Sequence, residues 1–233
     1  MEALAVEFPL RGQHWVAPNT PGHRVPSHGT EFGGQAYAYD FVQVDPRFPG
    51  KWRVSKKPFL ASLVFGIPLE DCLGWGQSIH APFPGVVVES EDGVAERDPV
   101  HVGRDSYVAL RNAITYRGAK HHRELRRILG NYVILRGADA FALFAHARRG
   151  SVCVRPGDRV ETGQKLAEVG HSGNSTAPHL HFQLMDRPEL LQAKGLPCCF
   201  KRYERLEDGA WHEVENGIPK RTDRIRVLEG RTS

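Results

Sequence analysis

The sequence predicts a mainly β fold, a compact sandwich or barrel with peripheral insertions, one of them helical. Three observations predict it. Short apolar runs recur between Gly-, Pro- and Asn-rich punctuation along most of the chain. Several of these runs alternate apolar and polar residues with period two. Only one stretch, about 119–129, carries a helical period. At 233 residues the chain is long enough to bury one core, so a single domain over 1–233 is the expectation.

Taken in order, "AYAYDFVQV" (36–44) alternates, with Tyr37, Tyr39 and Phe41 on one face and Ala38, Asp40 and Val42 on the other. "PGVVVESEDG" (84–93) is a short apolar strand closed by a turn at Asp92-Gly93. The helical stretch follows, with Leu125, Ile128 and Leu129 as its apolar side and the basic run "KHHRELRRILG" (120–130) as a solvated face. "NYVILRG", "AFALFAHAR", "QKLAEVG" and "HLHFQLM" resume the strands. Within "ALFAHARRGSVCV", alternation puts Phe144 and His146 on one face and Ala145 on the other. The tail after 186 is charged and mixed, with "PELLQAKG" as one or two helical turns.

Composition narrows the classes. Net charge is +4 and the isoelectric point about 8.9, a mild basic excess without a nucleic-acid motif, so no nucleic-acid partner is expected. Cys72, Cys153, Cys198 and Cys199 lack Cys-x-x-Cys spacing, and a bridge between adjacent residues would be strained. Four free or buried thiols suggest a reducing compartment. "MEALAVEFPL" has no basic start and carries Glu2 and Glu7, so it is not a secretory signal as it stands. No apolar run approaches a membrane span. The protein is then either cytoplasmic or exported with its signal removed.

The chemistry concentrates in "GHSGNSTAPHLHF" (170–182). A loop delivers the chain into a strand where His179 and His181 share a face and Leu180 turns to the core. Two exposed histidines on a strand edge would look the same. A catalytic zinc takes three protein ligands from His, Asp and Glu and keeps one position open. Asp40 is a candidate, since a charge mid-strand opposite three aromatic rings needs a partner or solvent. For His146, a hydrogen-bonded core histidine is the competing reading.

"LFAHARRGSVCVRPGDRVETGQKLAEVGHSGNSTAPHLHF" resembles, element by element, the C-terminal half of the lysostaphin-type (LytM-type) zinc metallopeptidases. "IHAPFPGVVVES" (79–90) and "AYAYDFV" resemble two further family strands, so the resemblance spans about 26–185 and leaves about 186–233 as an extension. It implies a duplicated-hybrid-motif barrel-sandwich. Carried over residue by residue, it makes His181 and Asp40 zinc ligands and His146 and His179 the two catalytic histidines that do not bind metal. The family's usual His-x-x-x-Asp fails here, because Ala36 stands four residues before Asp40. His28, Glu31 and His23 are the candidates for the third ligand. His28 is favoured, with Phe32-Gly33-Gly34 as the bend that returns it to Asp40; His23 reads as a surface residue.

The resemblance further implies a Zn2+-dependent endopeptidase acting on cross-bridges or stem peptides of bacterial peptidoglycan. Two other readings compete. One is an inactive binding module that activates another wall hydrolase. The other is a phosphocarrier with two facing histidines, against which the aspartate and the His-Leu-His block argue. A cytoplasmic peptide substrate also fits the missing signal. His171 reads as a loop residue beside the cleft, and His80 takes a usually apolar place. His14, His101, His121, His122 and His212 read as surface residues.

Overall fold

In the computed structural model, residues 2–48, 50–57, 64–117 and 122–228 are described. Fourteen strands carry the fold among them: β1 (Leu4–Val6), β2 (Gly12–Asn19), β3 (Tyr39–Gln43), β4 (Ser78–His80), β5 (Gly85–Glu91), β6 (Asn131–Arg136), β7 (Phe141–Ala147), β8 (Arg159–Val160), β9 (Lys165–Glu168), β10 (Leu180–Met185), β11 (Gly195–Leu196), β12 (Cys198–Glu207), β13 (Ala210–Gly217) and β14 (Ile225–Val227). Twelve form one large sheet in the order β1-β12-β14-β2-β3-β10-β7-β6-β5-β8, with β11 on β10 and β13 on β12. Strands β4 and β9 make a separate ribbon. Every pairing is antiparallel except β1 with β12. The mainly β reading therefore holds.

Period-two patterning decides which face each residue takes. Tyr39 and Phe41, Leu180, Phe182 and Leu184, and Ala142 and Phe144 enter one core together with Ile79 and Ala167 of the ribbon. The opposite parity, Leu143, Ala145 and Met185, joins a second core under the helical insertion. Each large side chain so buried contributes roughly 1.5–3 kcal/mol.

The insertion between β5 and β6 holds two helices, α1 (Val102–Arg117) and α2 (His122–Leu129). Helix α2 matches the periodic stretch, although residues 119–121 of it lie outside the described residues. Leu125 is buried against Tyr132, Ile134 and Met185, and Arg126 and Arg127 face solvent. Helix α1 was not legible. Its apolar residues form no single stripe, and Tyr107 and Leu110 stay exposed.

Three further expectations are corrected. Strand β3 starts at Tyr39 rather than 36, because Phe32–Tyr37 is a 3-10 segment kinked at Gly33 and Gly34, whose φ angles are 72° and 78°. "PELLQAKG" forms turns, not helix. The tail beyond it supplies β11 to β14, and β14 pairs with β2 inside the large sheet. Among the described residues, no helix is long and apolar enough to cross a membrane.

Candidate active site

Four neighbouring strands bring one row of side chains together. Asn19 on β2 pairs with Asp40 on β3, Asp40 pairs with His181 on β10, and His181 pairs with Ala145 on β7. Cross-strand partners on one face sit about 5 Å apart, so the register alone sets Asp40 beside His181. His181 Nδ1 lies 2.9 Å from Asp40 Oδ1. Asn19 Nδ2 donates to Asp40 Oδ2 at 2.7 Å.

His28 arrives from a loop rather than a strand. Ser27 anchors it: its N–H donates to Ala36 O, and its Oγ bonds Ala38 O at 2.7 Å and reaches His28 Nδ1 at 3.0 Å. The glycine kink between them folds the chain back, and His28 Nε2 stands 2.9 Å from Asp40 Oδ2. His23 and Glu31 are exposed and outside this group. His28, Asp40 and His181 each offer one donor atom, all within 4.8 Å of one another.

His146 reaches the cleft by a different route from the one alternation predicts. Tyr132 pairs with Ala145 while Asn131 pairs with Ala147, so His146 is the extra residue of a β-bulge. Its φ is +66°, and the bulge releases it from the face of Phe144, leaving Ala147 to fill the core. Its ring centroid then lies 4.7 Å from that of His179 and 6.0 Å from that of His181.

Hydrogen bonds fix the tautomers. His146 Nδ1 faces the carbonyl of Ser172 at 3.0 Å, and His179 Nδ1 faces the carbonyl of Ala177 at 2.8 Å. Carbonyls only accept, so both Nδ1 atoms carry hydrogen and both Nε2 lone pairs are free. His179 Nε2 points at Asp40 Oδ1 from 3.6 Å. Gln183 Nε2 donates to Gly33 O at 2.7 Å, which turns its Oε1 to accept from His181 Nε2 at 2.9 Å. His181 Nδ1 is thereby left toward Asp40.

The electrostatics follow from one carboxylate among buried imidazoles. Burial opposes the charge on Asp40, yet the nearby His28 and His179 and the hydrogen bonds to His181 and His28 hold its carboxyl well below the usual range. Burial and the neighbouring His179 and His181 push His146 well below the ordinary histidine value. Burial lowers His179 as well, with Asp40 opposing. Burial would lower His181 too, but its bond to Asp40 overrides that and raises it. His146 and His179 are therefore neutral near pH 7, the form that can accept a proton.

Two imidazoles and one carboxylate, each oriented by an outer hydrogen bond, form a donor set suited to zinc. The three candidate ligands, His146 and His179 line one cleft of about 250 Å³. Ile128, Leu129, Leu143 and Leu190 give it an apolar wall, and Gln35, Asn174 and Thr176 contribute polar lining.

Sequence reasoning missed Asn19, Ser27 and Gln183, the residues that orient the candidate ligands. Period two placed Gln183 on the face of His181 and was the one available signal. His171 is no simple loop residue, since it is fully buried between Ser175 and Asp105. His80 Nδ1 donates to Gly163 O, 2.9 Å away. His14 and His101 are half-buried rather than on the surface, and His212 is exposed. His121 and the side chain of His122 lie outside the described residues.

The profile of peptidase family M23 matches residues 72–193, just over half of the chain. That span holds His146, His179 and His181 but stops short of His28 and Asp40. The chain is 31% identical over 58 residues to peptidoglycan DD-endopeptidase ShyA of Vibrio cholerae, covering 25% of this chain and 13% of that relative's length. Among solved structures it is similar to the catalytic domain of the antimicrobial peptidase lysostaphin from Staphylococcus simulans, at 17% identity and TM-score 0.37, over 82% of this chain and 88% of that one. The catalytic domain of the prophage-encoded M23 protein EnpA from Enterococcus faecalis aligns at 18% identity and TM-score 0.34, over 67% and 83%. A zinc containing peptidase from Vibrio cholerae aligns at 17% identity and TM-score 0.37, over 78% and 37%.

Proposed function

The chain belongs to peptidase family M23, and from that premise we propose that it is a zinc-dependent endopeptidase of peptidoglycan cross-bridges or stem peptides. The observation that carries the reading is the convergence of His28, Asp40 and His181 within 4.8 Å, beside two neutral histidines with free Nε2 atoms.

In this reading His28, Asp40 and His181 would hold the ion. Zinc, when bound, acidifies water and polarises a carbonyl as a Lewis acid. His179 Nε2 and His146 Nε2 flank the same space, and one of them accepts the proton of the attacking water. That protonated ring then donates to the departing amine. The bare Nε2 of the other ring accepts a hydrogen bond from the same water and orients its attack. The bulge at His146 and the Ala177 carbonyl behind His179 keep both rings aimed before substrate arrives. The apolar wall from Ile128 and Leu129 excludes water from one side of the cleft.

Purified protein tests this directly. The expected result is one zinc per chain, cleavage of isolated peptidoglycan with release of new amino groups, loss of cleavage with a chelator, and its return on adding zinc. A fully zinc-loaded protein that leaves both peptidoglycan and cross-bridge peptides intact would overturn the enzymatic reading. Metal-free protein would overturn the ligand set.

A further inference from the structure

The insertion between β5 and β6 does more than cover an apolar face. It sends two charged side chains into the loop that carries His179. Arg97 donates to Gly173 O at 2.7 Å and to Ser175 O at 2.5 Å, so one guanidinium clamps the loop backbone. Asp105, in the first turn of α1, is fully buried. It accepts from Arg97 Nε at 2.8 Å, from Arg104 and from the N–H of His101, and its Oδ2 lies 3.3 Å from His171 Nε2. His171 Nδ1 in turn lies 2.9 Å from Ser175 Oγ, and Ser175 Oγ lies 3.1 Å from His179 Nδ1.

Asp105, His171 and Ser175 thus repeat the order carboxylate, imidazole, hydroxyl that activates a serine nucleophile. Here that use is closed. His171 and Ser175 are both fully buried, and the Ser175 hydroxyl spends its hydrogen on Ala177 O at 2.6 Å. No substrate carbonyl can reach it. Nor is a buried charged network the cheapest packing, since apolar residues of like volume commonly serve stability as well or better. The network has one outlet toward the cleft, the Nδ1 edge of His179.

We propose that Asp105, His171 and Ser175 are a positioning relay, through which the helical insertion fixes the ring orientation and tautomer of His179. The inference rests on the reading of His179 as a proton-transfer residue. The Ser175 oxygen, held by His171, accepts a share of the His179 Nδ1 hydrogen alongside Ala177 O. Two acceptors on one edge leave the opposite nitrogen, Nε2, bare toward Asp40 and the cleft. Arg97 and Asp105 keep both acceptors in place by tying the loop to α1.

The test uses zinc-loaded full chain labelled with 15N-histidine, as wild type, Ser175→Ala and Asp105→Asn. Asp105 touches neither His179 nor any candidate ligand, so a signal from it must pass through His171 and Ser175. Long-range 1H–15N spectra of wild type are expected to show His179 as a single tautomer with hydrogen on Nδ1. In both variants that pattern moves toward tautomer averaging, and kcat falls about 10–100-fold, the usual cost of an outer-shell loss. Zinc content and KM stay unchanged. Unaltered His179 resonances and kcat in both variants would overturn the relay. So would a loss of kcat matched by loss of zinc and a raised KM with the tautomer intact, which is the signature of a merely structural role. If wild type cleaves no peptide, the peptidase reading fails, and the His179 tautomer alone still decides the relay.

Discussion

Replacing Gln183 by Leu tests the proposed metal centre without touching a candidate ligand. The side chain is 1% exposed, and it makes two bonds of fixed direction. Its Oε1 accepts from His181 Nε2 at 2.9 Å, and its Nε2 donates to Gly33 O at 2.7 Å. Leu is similar in volume, so packing changes little. Two buried polar groups lose their partner, at about 1–3 kcal/mol each. Part of that falls on the fold, because Gly33 belongs to the bend below His28. The rest falls on zinc, because the His181 ring is no longer held with Nδ1 toward Asp40. Outer-shell losses of this kind weaken metal affinity about 10–100-fold, or about 1.4–2.7 kcal/mol. Competition against a chromophoric chelator at pH 7 measures it. Gln183→Glu keeps the acceptor at His181 and is expected to hold zinc at least as tightly as wild type. Equal affinity in wild type and the Leu variant, or equal loss in both variants, would refute the reasoning.

Three further outcomes are expected. His28→Ala loses more than about 100-fold in zinc affinity, beyond the outer-shell range, as does His181→Ala, whereas His23→Ala and Glu31→Gln bind normally in the same titration. His146→Ala and His179→Ala keep zinc and lose about two to four powers of ten in kcat, read from release of amino groups. Burial opposes charge on Asp105, but His171, Arg104, the His101 N–H and Arg97 outweigh it and depress its pKa. Its contribution to stability is therefore full above the ordinary value near 4 and is lost as pH falls below it. The denaturant midpoint of wild type should fall more steeply than that of Asp105→Asn between about pH 4 and 2.

Much of this was legible from period two alone. His-x-His at 179–181 and the lone carboxylate at 40 share one sheet face because parity is a local property of extended chain. The return of His28 past Gly33 and Gly34 was legible for a similar reason, since glycine is the residue that permits such a bend. Parity failed at His146, where one bulged residue shifts the count and no sequence signal marks it. Helix α1 stayed hidden because its apolar residues form no stripe. The β12–β13 hairpin carries a local signal in its turn. Asp208-Gly209 sits between two alternating runs, with φ angles of 51° and 80° suited to a two-residue hairpin turn. Asn19 depends on which strands become neighbours and Asp105 on which loop α1 packs against, and no local pattern encodes either.

The pairing of Asp40 with His181 spans 141 positions of chain. During synthesis, the first candidate ligands leave the ribosome long before the last. A nascent chain holding His28 and Asp40 has only two donors, and contacts this distant in sequence are also slow to form. If these residues hold zinc as proposed, metal uptake would be a late event, coupled to closure of β10 between β3 and β7 rather than to folding of the early strands. A fragment ending before residue 180 is expected to take up no zinc in a chelator titration, however well its own strands pair. In that proposed reading the protein would pass most of its assembly without its ion.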